Sequence, residues 1–253
     1  MVEKWYIKIT PLNLERQIHV YLPKDYFTSS KNYPVLYMFD GHNLFFDEDA
    51  TFGSAWKMND YLDQIKGDLI IVGIECNHEG NQRLIEFSPY AWKKDYFCVE
   101  KPLGKVFMQW IVEELKPMID QKYRTQPQKE TTGIGGSSMG GLMAMYGALS
   151  YPEIFSKAAC LSSSFSFCEK ELIQLIEQHS SYKNSKFYMD FGSEESRSKK
   201  GLAYMTKLHL DLAHLLMQKE ALCYPNMIVN GKHNEQTWSK QVPVFLEYLY
   251  KIK

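Results

Sequence analysis

The stretch Gly135-Gly136-Ser137-Ser138-Met139-Gly140-Gly141 narrows what this chain can become more than any other. The residues before it read as a buried strand and those after it, LMAMYGAL (142–149), as an apolar helix, which places four glycines at a strand-to-helix junction. Residues 136–140 fit G-x-S-x-G, the sharp turn in which a serine is held in a strained backbone conformation above the strand. Small neighbours are required there because strand and helix must approach without side-chain clashes. The same turn places Ser138 at a helix N-terminus, where free N–H groups and the helix dipole favour an oxyanion.

The rest of the chain has the periodicity such a junction demands. WYIKIT (5–10) and RQIHVYL (16–22) alternate apolar and polar residues around a Pro-Leu-Asn break, which predicts an opening antiparallel pair. PVLYMF (34–39) and LIIVGIE (69–75) are continuous apolar runs, as in strands buried on both faces, with helical spacing between them over 55–65. Residues 103–123 carry a long helical pattern interrupted by Pro117. Strands are expected at 158–163, 186–192 and 224–230, and helices near 169–179, 200–219 and 237–251. Alternation of this kind means an α/β fold with a mostly parallel sheet and helices on both faces.

No linker, repeat or composition shift divides the chain, so 1–253 is expected to be a single domain. The stretch Asn77 to Pro102 lacks periodicity and is rich in aromatics, among them Phe87, Tyr90, Trp92, Tyr96 and Phe97; it is expected to be a partial lid or pocket loop. Twenty-nine basic residues against 30 acidic ones leave a net charge of −1, which favours neither a nucleic-acid nor an anionic membrane partner. The N-terminus lacks a secretory apolar core and no long uncharged apolar run follows, so a soluble, cytoplasmic protein is expected. Five cysteines without C-x-x-C spacing argue against a disulfide framework or a structural zinc site.

A serine hydroxyl needs a base, and the base a carboxylate that orients it. Of the seven histidines, His179, His209, His214 and His233 follow Ser138. The first three belong to helical runs, whereas His233 follows a strand and the turn Asn230-Gly231, where open α/β sheets carry their chemistry. Gly192-Ser193-Glu194-Glu195 ends another strand between nucleophile and base. Glu195 is the preferred acid, with Glu194 and the strand-internal Asp190 as alternatives. An oxyanion hole calls for the N–H of Met139 and one from the loop Asp40-Gly41-His42-Asn43. His42, a tempting second base, precedes the serine and is read as a positioning or substrate-contacting residue whose backbone N–H donates. Asp40, His42 and Asp47 lack metal-ligand spacing, so neither metal nor organic cofactor is expected. Trp56 and Trp238 are read as packing aromatics.

The ordered set YPVLYMFDGHNLF (33–45), IVGIE (71–75), Arg83 with Glu86-Phe87-Ser88-Pro89, EELKPMIDQKYRT (113–125), GIGGSSMGGLMAMYGALSYPEIF (133–155) and GKHNEQTW (231–238) resembles the esterase family of α/β-hydrolases that includes esterase D and the enterochelin esterases. The resemblance implies an α/β-hydrolase fold and hydrolysis of a small-molecule carboxylic ester, with Ser138 as nucleophile and His233 as base. His42 stands where many relatives have glutamine. The pattern also draws attention to Arg83 and Glu86, expected as a charged pair organising the pocket loop, and Tyr90 and Trp92 are expected in the pocket wall. An acyltransferase, a thioesterase or a non-catalytic binding domain could share the scaffold. The ordered serine, acid and histidine favour the hydrolase.

Overall fold

The computed structural model describes residues 1–94 and 97–252, so Tyr96 of the aromatic segment and Lys253 at the chain's end lie outside the described residues. Strands β1 (Val2–Ile9) and β2 (Leu14–Tyr21) form the expected antiparallel pair, turning through a short 3-10 segment to Asn13, whose φ is 52°. Then follow β3 (Val35–Phe39), α1 (Met58–Ile65), β4 (Ile70–Ile74), α2 (Gln82–Glu86) and a small hairpin of β5 (Trp92–Lys94) and β6 (Phe97–Val99). Next come α3 (Gly104–Trp110), α4 (Lys116–Lys122), β7 (Thr132–Ser137), α5 (Met139–Ser150), β8 (Lys157–Leu161), α6 (Glu169–Gln178), β9 (Lys186–Gly192), α7 (Lys199–Gln218) and β10 (Leu222–Ile228), and the order ends with α8 (Glu235–Ser239) and α9 (Val242–Tyr250). The main sheet runs β1-β2-β4-β3-β7-β8-β9-β10, parallel from β4 onward.

Alternation along the inner strands divides the core in two. In β3, Val35, Tyr37 and Phe39 face α3, α5 and α6, while Leu36 and Met38 join the residues of α1 and α9 on the other face. In β8, Ala158 and Cys160 belong to the first core and Ala159 and Leu161 to the second. A strand covered by helices on both sides has no polar face, and this is why the runs at 34–39 and 69–75 are apolar throughout.

Three expectations needed adjustment. Between α3 and α4 the chain stays helical but passes through a π-type turn, Ile111–Leu115, immediately before Pro117; the wider turn accommodates a residue that lacks an N–H and crowds the preceding carbonyls. The helix expected over 237–251 is two helices, because Pro243 starts α9 within its first turn. The segment 77–102 is not irregular throughout, since it contains α2 and the hairpin. No helix among the described residues is long and apolar enough to cross a membrane.

Phe107 of α3 is fully buried, with ring centroids of Phe39, Phe87 and Trp110 at 6.3, 5.9 and 5.5 Å. Phe107→Ala should lower unfolding stability in urea by about 3–5 kcal/mol, the range for an aromatic lost from a core that cannot collapse around the gap. A loss below roughly 1 kcal/mol would show that α3 repacks freely.

Candidate active site

Ser138 has φ 57° and ψ −119°, a strained conformation for a residue with a side chain. Its N–H donates to the Leu161 carbonyl at 2.9 Å, and its own carbonyl accepts from Ser164 N–H at 3.0 Å and Leu142 N–H at 3.1 Å. The elbow is tight because a Cβ on Gly136 would lie 2.8 Å from the Gly140 carbonyl carbon, inside contact distance. Met139 is the first residue of α5, so its N–H has no acceptor within the helix.

The turn Gly41–Asn43 follows β3. A Cβ on Gly41 would meet the Gly73 carbonyl carbon of β4 at 2.5 Å, so this turn lies directly on the neighbouring strand. Its internal bonds use the N–H groups of Asn43 and Leu44, not that of His42. The His42 imidazole is buried, which lowers its pKa, and Nε2 lies 2.9 Å from Thr51 Oγ1.

His233 and Glu195 come from the loops after β10 and β9, and His233 Nδ1 lies 2.9 Å from Glu195 Oε2. The other carboxylate oxygen accepts from Ser162 Oγ at 2.6 Å and Gly192 N–H at 2.5 Å. Burial alone would raise the Glu195 pKa, but the bonds from His233, Ser162 and Gly192 outweigh it and hold the carboxyl below its ordinary range. Ser162 also accepts a bond from Trp238 Nε1 at 2.7 Å, and the Trp238 ring meets His233 edge-on at 5.1 Å. Trp56 lies 6.0 Å from Trp238, on the core side. Glu194, by contrast, pairs with Lys232 at 3.7 Å at the surface.

Asp190 is fully buried behind this array, accepting from Ser162 N–H at 3.0 Å and Tyr188 OH at 2.8 Å. Burial dominates there and pushes its pKa up to about 7.

Ser138 and His233 line one cavity of about 420 Å³, together with Asp40, His42, Phe52, Arg83, Glu235 and Trp238. Among the described residues no hydrogen bond joins Ser138 to His233; Ser138 Oγ lies 3.4 Å from Ser164 Oγ. His233 also lines a second cavity of about 470 Å³ with Ser164, Lys94 and Arg197.

Arg83 and Glu86 do not pair with each other. Arg83 binds Asp40 through two bonds of 2.7 and 2.6 Å, whereas Glu86 pairs with Arg16 of β2 and accepts from Asn77 N–H at 2.9 Å. Burial raises the Glu86 pKa to about 6 against the pull of Arg16. Burial would likewise raise that of Asp40, but Arg83 outweighs it and holds the carboxyl low. Of Arg83, Glu86 and the expected wall residues Tyr90 and Trp92, Arg83 alone lines the cavity holding Ser138. Glu86 is buried beneath it, Tyr90 packs edge-on against Tyr146 at 5.9 Å, and Trp92 lies over Phe167 at 4.1 Å. Sequence reasoning missed Trp238 and Ser162 as site residues, together with Glu235, whose carboxyl burial pushes up. GKHNEQTW, already singled out around His233, was the available signal for Trp238 and Glu235.

The family described as "Putative esterase" matches residues 9–249. The Bacillus subtilis protein YbbA is 29% identical over 245 residues, covering 93% of this chain and 92% of its own. An IroE-like serine hydrolase from Shewanella oneidensis superposes with a TM-score of 0.76 at 22% identity, over 99% of this chain and 80% of that one. Enterochelin esterase from Shigella flexneri superposes at 0.73 with 16% identity, over 99% of this chain and 58% of that one. Both structures show the likeness of fold.

Asp190→Asn tests the burial of that carboxyl. A folded pKa of about 7, above the ordinary 3.8, means the native state holds its proton over an interval in which the unfolded chain has lost it. Stability therefore falls as pH rises from roughly 4 to 7, by an amount on the order of a few kcal/mol. Asparagine avoids that charge, and Tyr188 OH can then turn to Gln241 Oε1, 3.1 Å away. The stability of Asp190→Asn relative to wild type, from urea unfolding, should grow across this window; a constant difference would contradict the assignment.

Proposed function

Because the chain belongs to the esterase family just matched, with its α/β-hydrolase fold, we propose that it is a serine carboxylic-ester hydrolase working through Ser138, His233 and Glu195. The observation that carries this reading is a strained serine at a helix N-terminus in the cavity that a carboxylate-anchored histidine also lines. Chains resting without substrate commonly leave the serine–histidine contact long until the ester is seated.

In this mechanism Ser138 Oγ attacks the ester carbonyl while His233 Nε2 takes its proton. The imidazolium stays oriented by Glu195, whose carboxylate remains ionised. The N–H groups of Met139, at the start of α5, and of His42, in the middle of the Gly41–Asn43 turn, stabilise the negative oxygen; Gly41 provides the close approach that aims the second donor. His233 then returns the proton to the leaving alkoxide as the tetrahedral intermediate collapses to an acyl-serine. Water, deprotonated by the same imidazole, releases the acid and restores the serine.

The substrate is a small-molecule ester, and the two cavities flanking His233 suit its two parts: the one lined by Ser138 and His42 takes the acyl carbonyl, and the one toward Lys94 and Arg197 takes the alcohol. We read the chain as one domain with residues 77–102 as a partial lid. That segment contributes His78 and Arg83 to the first cavity and Lys94 to the second.

Ser138→Ala should reduce turnover of p-nitrophenyl acetate and butyrate by at least about a thousandfold and abolish labelling by a fluorophosphonate, with the circular dichroism spectrum unchanged. Turnover within tenfold of wild type would sink the assignment. Glu195→Gln should lower kcat by about a thousandfold or more, as an amide in place of the orienting carboxylate favours the wrong imidazole tautomer. Glu194→Gln, at a surface pair, should leave kcat within about twofold; the reverse pattern would make Glu194 the acid.

A further inference from the structure

A second cluster of ligand-type side chains occupies the wall of the cavity formed by the ends of β3 and β4. His42, Cys76 and His78 each present a nitrogen or sulfur atom, and these atoms all lie within 4.8 Å of one another. All three residues line the cavity, so solvent and ions have a route to them. Their chemistry, two imidazoles and a thiol, is that of a site for a borderline-soft ion rather than for Mg²⁺ or Ca²⁺.

We propose that His42, Cys76 and His78 bind a divalent metal ion of the Zn²⁺ class, with the fourth coordination position open to the cavity. Spacing in the sequence hides this group: it sets His42 beside Asp40 and Asp47, whereas the fold brings it to the end of β4 next to Cys76 and His78.

Two features besides proximity support the site. His42 is 5% exposed, and its Nδ1 is buried without a hydrogen-bond partner, an arrangement that leaves a polar atom desolvated unless something binds it. Its other nitrogen already has the outer partner that metal-bound imidazoles use, Thr51 Oγ1 at 2.9 Å. At His78, Nδ1 lies 3.9 Å from Cys76 Sγ, and Nε2 lies 3.6 Å from the Glu75 carboxylate, within ion-pair reach. An oriented imidazole backed by a carboxylate or hydroxyl is the usual surrounding of a zinc ligand. The two rings stand edge to face with centroids 4.6 Å apart.

Zinc requires metal–nitrogen distances of about 2.0–2.1 Å and metal–sulfur of about 2.3 Å, so the three atoms must draw closer than they stand. His78 can make that movement, since its side chain is 54% exposed. On binding, a Zn–S bond forms and the Cys76 thiol proton leaves to solvent. Asp40 and Glu75 flank the ion; Arg83 neutralises the first, and Glu75 also contacts His19. The bound ion would tie the Gly41–Asn43 turn to the end of β4 through the His42 side chain.

The test titrates Zn²⁺ into chelator-stripped, full-length protein against a chromophoric chelator, and Co²⁺ with absorption spectroscopy. One ion should bind per chain, with a thiolate-to-cobalt charge-transfer band in the near ultraviolet. Cys76→Ser should lose that band. His78→Ala, at an exposed position that keeps the fold, should weaken Zn²⁺ binding by at least about tenfold, and Glu75→Gln by about tenfold. His233→Ala should bind as wild type does. Absence of binding, equal binding by His78→Ala and wild type, or loss of binding in His233→Ala alone would each overturn the proposal, the last by moving the ion to the His233 imidazole. These readouts do not depend on ester turnover, so the metal site and the esterase reading fail separately.

Discussion

The close seating of α5 on the sheet is the constraint from which the rest of the site follows. Eleven of the helix's twelve residues are buried, so it is packed on all sides instead of lying at the surface with one wet face. Burial of Leu142, Met143, Met145 and Leu149 is worth roughly 6–12 kcal/mol at the usual 1.5–3 kcal/mol per large side chain. The strained backbone of Ser138 costs only about 1–3 kcal/mol. The packing of the helix therefore holds the serine where an isolated turn would release it. The approach of Gly136 to Gly140 is the local condition for that balance.

Around the elbow, two neighbouring carboxylates take different states, and the intrinsically weaker acid is the one that stays ionised. Glu195 is buried but receives bonds from an imidazole, a hydroxyl and a backbone N–H, and these keep it ionised. Asp190 is buried more deeply with two donors, Ser162 N–H and Tyr188 OH, which do not overcome the loss of solvent. Ser162 touches both, through its side chain to one and its backbone to the other. Its own φ of 44° is part of the arrangement that allows this. The number and charge of the donors decide between the two outcomes, in line with the strength of charge-assisted bonds in a poorly solvated setting.

The parts of the fold legible in the sequence are those whose environment leaves a period. Strands β3 and β4 read as unbroken apolar runs because both faces are covered, and β1 and β2 as alternations. The helical stretch from Gly104 to Lys122 was readable together with its disturbance at Pro117. Residues 77–102 were not, since a five-residue helix and three-residue strands are too short to establish a period. At the proposed site, the glycine-rich elbow and strand-end position singled out Ser138, Glu195 and His233, which follow the C-terminal ends of β7, β9 and β10. Proximity in sequence misled at Arg83 and Glu86. Their partners, Asp40 and Arg16, lie 43 and 70 residues away, and two-bond geometry with a buried carboxylate outweighs a three-residue separation on a short helix.

The manner in which Glu195 is gripped has a bearing on how such a chain can diversify. Its carboxylate is fixed by Ser162, just past the end of β8, and by Gly192, the last residue of β9, neither of which belongs to the loop that follows β9. Residues 196–198, which reach α7 beside Arg197 and the second cavity, carry none of that load. Exchanging this short span for loops of other length or charge would alter the lining of that cavity while Glu195 stays in register with the His233 imidazole. Recombination at that junction would thus be mechanically separable from the Glu195–His233 pair.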